Sequence, residues 1–223
     1  MFFVPLKGGG AGTLPVALRL AVPAILLALG GVGLVPWLMS VGFAFCAIGD
    51  TMGVLGSFEG QMGGFALAHV CFIGWMAGSF LRKRKGMRNG FSLYIILTLV
   101  CLVPLVIAVV RIIPSIGDGV IRMGCTIYSL LLTGTLWASW MRFASLQSRP
   151  QRKGALLGAL GATLFFISDF VLAWNKFVER VPDSRIIIMT TYYAALLLLF
   201  VGTLKVSVLL CKSPDSKALR AEK

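Results

Sequence analysis

Residues 154–177 read GALLGALGATLFFISDFVLAWNKF, and this stretch decides the fold. As an α-helix rising 1.5 Å per residue it is long enough to cross a hydrocarbon core of about 30 Å. Its interior holds one charged group, Asp169, with Lys153 and Lys176 the nearest others. A carboxylate at the middle of a spanning helix costs roughly 2.5 to 3.5 kcal/mol on insertion scales, so such groups usually face a polar interior and serve a function.

Working outward, the same pattern recurs. WLMSVGFAFCAIGD (37–50) ends on Asp50, and no charged residue stands between Arg19 and Asp50. Of the 223 residues 58% are hydrophobic and 13% charged, and the mean hydropathy is +0.91. Ordinary soluble domains lie far from this composition. The reading is an all-α, polytopic transmembrane bundle of about seven spanning helices, at about 14–30, 34–55, 61–81, 91–110, 119–141, 154–177 and 186–210. The first is read as a spanning helix, although Arg19 before an apolar run also suits a signal peptide. Without a repeat or a long linker, residues 1–223 are read as one integral membrane domain.

The net charge of +13 is distributed by loop. RKRKGMR (82–88), the segment from Arg142 to Lys153 and the tail from Lys212 to Lys223 fall on one side of a seven-helix arrangement. The other side carries a near-balanced set: Lys7, Glu59, Arg111, Asp118, Glu179, Arg180, Asp183 and Arg185. By the positive-inside rule the C-terminus is cytosolic. Basic loops then meet anionic headgroups of the membrane lipids, and nothing in the pattern calls for nucleic acid. The sequence leaves a homodimer open.

In this topology Asp50 and Asp169 share the outer half of the bilayer. Helices running the other way bring His69 and the TTYY run (190–193) to comparable depth. One face of the 154–177 segment carries Asp169 and Lys176, seven residues apart. Each residue also has a plainer reading. An intramembrane Asp can simply hold helices together, His69 can be a satisfied core residue, and Tyr192 and Tyr193 can be interface aromatics. Lys176, Arg180 and Arg185 fit either a solvated rim or contacts to phosphate. Cys46, Cys71, Cys101, Cys125 and Cys211 are scattered without CxxC spacing, and His69 is the only histidine, so neither a metal site nor a cofactor is expected.

Four of these motifs together resemble a known family. LGALGATLFFISDFVLAWNKF (157–177) followed by VPDSRIIIMTTYYAALLL (181–198), with FCAIGDTMG (45–53) and FALAHVCF (65–72) upstream, is similar to the YhhN and lysoplasmalogenase family of polytopic membrane proteins. The resemblance covers about 42–73 and 154–200. It implies a lysophospholipid substrate and hydrolysis of the vinyl ether bond of lysoplasmalogens, giving a fatty aldehyde and glycerophosphocholine or glycerophosphoethanolamine. It also implies that Asp50 and Asp169 form the catalytic pair. The family usually has eight helices, many members carry Gln at the place of Leu196, and relatives often carry Asp at that of Asn175.

The chemistry suits two carboxyls. An enol ether is cleaved by protonation of its β-carbon, leaving an oxocarbenium ion that water captures, and glycosidases divide comparable labour between an acid and a base. Asp169, deeper and among phenylalanines, is the expected acid, because an apolar setting favours the carboxyl that keeps its proton. His69, Asn175 and Tyr192, with Tyr193, are the expected supports, and Lys176 and Arg185 the expected phosphate contacts. Two other classes stay open. A proton-coupled or small-solute transporter also uses intramembrane aspartates, though no internal repeat is visible. A retinal protein would need a carboxylate near Lys205, where Val201 stands a turn earlier.

Overall fold

The computed structural model describes the backbone of residues 13–82 and 91–211 and the side chains of residues 20–78 and 92–209. Lys7, residues 83–90 and the tail from Lys212, which carry much of the charge asymmetry, lie outside the described residues.

Seven helices follow one another among the described residues: α1 (Thr13–Gly30), α2 (Trp37–Val54), α3 (Phe58–Arg82), α4 (Phe91–Ile107), α5 (Gly119–Ser145), α6 (Arg149–Phe177) and α7 (Ser184–Cys211). Their boundaries follow local chemistry. Pro36 precedes α2 and Pro150 lies in the first turn of α6, where a missing N–H removes no helix bond. Asp118 caps α5 by accepting the Ile121 N–H at 2.9 Å. Asp183 turns the chain into α7 in the left-handed region, φ 51°, which Asp tolerates better than most residues.

Among the described residues, five helices are long and apolar enough to cross a membrane: α2, α4 with its continuation to Ser115, α5, α6 and α7. The chain is an integral membrane protein. In α1 the side chains are described from Leu20, over the apolar run Leu20–Gly30, and α3 carries Glu59, Gln61, His69 and five glycines along its length. α3 packs on α2 and α5.

The helices close into a ring in the order α1, α2, α3, α5, α6, α7, with α7 returning to α1, and α4 lies outside against α5. This explains why α4 shows Ile95, Ile96, Leu99, Val100, Val103 and Val106 outward, as a lipid-facing helix does. Two glycine contacts set the geometry of the site. A Cβ on Gly202 would stand 2.7 Å from Gly154 O, and one on Gly64 would stand 2.7 Å from Gly49 N. Small residues therefore let α6 touch α7, and α2 touch α3 beside Asp50, backbone to backbone. The interior is filled by Phe43, Phe72, Phe165, Met39, Met76 and Leu199.

Candidate active site

Five helices of the ring each contribute to one polar cluster within this apolar interior. Asp50 comes from α2, His69 from α3, Tyr128 and Thr135 from α5, Asp169 from α6 and Tyr192 from α7. Asp50 is 4% exposed and Asp169 8%, so both carboxyls depend on protein partners. Each has one tyrosine. The Tyr192 hydroxyl donates to Asp50 Oδ2 at 2.9 Å, and the Tyr128 hydroxyl is hydrogen-bonded to Asp169 Oδ2.

The two tyrosines differ in what else they meet. Tyr128 Oη also lies 3.3 Å from His69 Nε2, and the other ring nitrogen of that histidine, Nδ1, is 3.0 Å from Thr135 Oγ1. Thr135 in turn reaches Leu131 O at 3.2 Å. Tyr128 and Thr135 are seven residues apart, two helical turns, which places both on one face of α5. Besides Asp50, the Tyr192 hydroxyl meets the thiol of Cys46.

Aromatic rings fill the space between the two arms. His69 packs edge-on against Phe165 at 4.8 Å between centroids, and Tyr192 against Phe165 at 5.4 Å and Phe65 at 5.7 Å, geometries that aromatic quadrupoles favour. Asp50 and Asp169 lie within electrostatic reach of each other, and Cys46, one turn before Asp50 on α2, feels both. The carboxyls thus belong to one site.

Asp169 and Tyr128 line an apolar cleft of about 70 Å³ between α3, α5, α6 and the end of α4. Phe58, Met62, Phe166 and Phe177 form much of its wall. Past Ile107 the chain makes a wide π turn, Ala108–Ile112, and both ends of that turn border the cleft. Thr133 Oγ1, also on the cleft, is buried with no hydrogen-bond partner.

The other residues singled out in the sequence fall elsewhere. Lys176 stands at the cleft's edge with Nζ 4.2 Å from the Phe58 ring centroid, a cation–π contact. Asn175 Oδ1 accepts the Val181 N–H at 2.8 Å and so shapes the α6–α7 turn. The Tyr193 hydroxyl donates to Leu20 O at 3.0 Å, tying α7 to α1. Arg180 and Arg185 are exposed. Leu196 is buried in the core. Sequence reasoning missed Tyr128 and Thr135, although Tyr128, Ser129, Thr133 and Thr135 mark α5 as having a polar side within an apolar run.

The chain is similar to proteins whose names speak of one activity. Lysoplasmalogenase TMEM86B of Homo sapiens is 32% identical over 160 residues, covering 71% of this chain and 60% of that protein. Lysoplasmalogenase TMEM86A of Bos taurus is 32% identical over 164 residues, covering 71% and 62%. The TMEM86B of Sus scrofa is 39% identical over 77 residues, 34% of this chain and 29% of that protein. The chain thus spans less than two thirds of the length of these relatives. No solved structure matches it. The match to the YhhN family runs over residues 13–203 and takes in all four motifs and every side chain of the cluster just described; the chain belongs to the YhhN family.

Proposed function

We propose that this protein hydrolyses the vinyl ether bond of lysoplasmalogens, releasing a fatty aldehyde and glycerophosphocholine or glycerophosphoethanolamine, with Asp169 as general acid and Asp50 as general base. One observation carries the reading: two buried carboxyls from separate helices, each held by a tyrosine hydroxyl, lie within electrostatic reach beside an apolar cleft. The lysoplasmalogenase names of the similar human and bovine proteins support the same reaction.

The steps balance with these two groups alone. Asp169 gives its proton to the β-carbon of the enol ether: an O–H bond breaks, a C–H bond forms, and the alkene electrons leave an oxocarbenium ion. Asp50, ionised, takes a proton from water as the water oxygen bonds to the cationic carbon, giving a hemiacetal. The roles then reverse. Asp50 returns its proton to the glycerol oxygen as the C–O bond breaks, and Asp169 takes the hemiacetal O–H proton as the aldehyde forms. Both carboxyls end in their starting states, the same acid–base alternation that glycosidases use. Positioned acid–base groups typically contribute about 10²–10⁴-fold each.

The aliphatic chain lies in the apolar cleft, whose phenylalanine wall suits it, and Lys176 at the edge suits the phosphodiester. Thr133 offers the unpartnered hydroxyl at which a water can be held. The basic loops put the C-terminus in the cytosol, which the labelling of introduced terminal and loop cysteines by an impermeant reagent checks.

The test is incubation of the purified protein with a vinyl ether lysolipid and with its saturated ether analogue, aldehyde being trapped and quantified. Aldehyde from the vinyl ether alone is expected. Equal cleavage of the saturated ether rules out enol ether protonation, and flux of solute across liposomes without aldehyde release turns the reading to a transporter.

A further inference from the structure

The Tyr128 hydroxyl has one proton and two acceptors in reach, Asp169 Oδ2 and His69 Nε2 at 3.3 Å. It cannot serve both. The contacts from Asp169 to Leu131 O nevertheless form an unbroken line through Tyr128, His69 and Thr135, and the direction of donation along it follows from counting protons.

Two orders keep Asp169, Tyr128, His69 and Thr135 linked in one line. In the first, Thr135 O–H donates to Leu131 O, His69 Nδ1–H donates to Thr135 Oγ1, Tyr128 O–H donates to His69 Nε2, and Asp169 supplies its own O–H to Tyr128 Oη. Every contact is then made and every group is neutral. In the second, Thr135 O–H turns to His69 Nδ1, Nε2–H donates to Tyr128 Oη and Tyr128 O–H donates to a charged Asp169. That order gives up the Leu131 contact and leaves a carboxylate inside the bilayer on a single hydrogen bond. Buried polar chains are stable when fully satisfied, and an intramembrane charge is costly, so the first order holds at rest.

We infer that Tyr128, His69 and Thr135 form a positioning chain that keeps Asp169 protonated at rest and turns to hold it as a carboxylate once its proton has gone to substrate. The inference rests on the proposed carboxyl pair and assigns the acid within it. When Asp169 gives up its proton, Tyr128 swings its O–H from His69 to the new carboxylate, so the bond strengthens where charge develops. His69 acts through Tyr128 and touches neither carboxyl. The titratable groups within electrostatic reach of Asp169 are Tyr128 from α5, Cys46 and Asp50 from α2 and Tyr192 from α7. Of these only Tyr128 is bonded to it.

Infrared spectroscopy of the full chain in lipid nanodiscs at neutral pH tests this, because a protonated carboxylic acid has its own carbonyl stretch. The expected result is a protonated-acid band that survives Asp50→Asn, disappears in Asp169→Asn and shifts in Tyr128→Phe, where the acid loses its acceptor. Tyr128→Phe should also lower kcat by about 10- to 100-fold, the worth of one hydrogen bond to a charged group, with KM little changed. Absence of the band in the wild-type protein, its loss in Asp50→Asn, or an unmoved band in a folded Tyr128→Phe overturns the inference. The wild-type and Asp50→Asn spectra decide it even where the other variants do not fold. Aldehyde release is read on the same samples. A band without hydrolysis supports the chain and defeats the hydrolase reading, whereas hydrolysis without a band does the reverse.

Discussion

The site has two arms, and they are built differently. On one side Asp50 is held by Tyr192, whose hydroxyl proton meets as competitor the thiol sulfur of Cys46, a weak acceptor. On the other, Asp169 is held by Tyr128, whose proton is also within reach of His69, itself anchored to Thr135. A carboxyl that always receives a hydrogen bond is suited to charge. One whose partner can turn away is suited to a proton. Two buried aspartates thus have different partners, and the contrast lies in their neighbours.

The most severe way to break this comparison is to remove either carboxyl. Asp50→Asn and Asp169→Asn keep shape and burial but cannot exchange the proton, so each should cut aldehyde release from a vinyl ether lysolipid by about 10²–10⁴-fold, while membrane insertion and elution on size-exclusion chromatography stay unchanged. Near-normal turnover in either variant defeats the pairing.

Next come the tyrosines. Tyr128→Phe and Tyr192→Phe each remove one hydrogen bond to a group that carries charge in the reaction, worth roughly 10- to 100-fold in turnover. Their consequences separate in the infrared: the acid band moves in Tyr128→Phe and stays in Tyr192→Phe. If both variants move it alike, the arms are equivalent and the asymmetry is gone.

Lys176→Ala should act at the edge of the cleft, raising KM about tenfold while kcat changes little, because a phosphate contact made equally in ground and transition states is lost. A fall in kcat instead would bring Lys176 into the chemistry. Smallest of all is Tyr193→Phe. Its hydroxyl reaches Leu20 O rather than a carboxyl, so turnover should stay within about twofold and stability should fall by about 1 kcal/mol, read from thermal unfolding in detergent.

Tyr192 and Tyr193 also show how far the sequence could be read. Both stand in one motif, and adjacent residues on a helix point about 100° apart, so one meets Asp50 and the other meets α1. Which one does so depends on how α7 is rotated against α2, and no spacing along the chain states that. Tyr128 was hidden for the same reason: within GCTIYSLLLTGT (124–135) it reads as one more aromatic in an apolar helix. Its role appears only once α5 lies between α3 and α6. The aspartates were legible because charge in an apolar run is conspicuous at any rotation. The helices were legible because lipid demands long apolar runs. Asn175 accepts the Val181 N–H in the α6–α7 turn and Arg185 is exposed at the surface, placements that no spacing along the chain states.

Proton transfer from a buried carboxyl to carbon is the central claim, and aldehyde release in H₂O and in D₂O tests it most directly. Delivery of the proton to the enol ether carbon predicts slower turnover in D₂O, measured as kcat/KM, and one deuterium on the carbon next to the aldehyde carbonyl. Equal rates in the two solvents, or aldehyde without that deuterium, would contradict it.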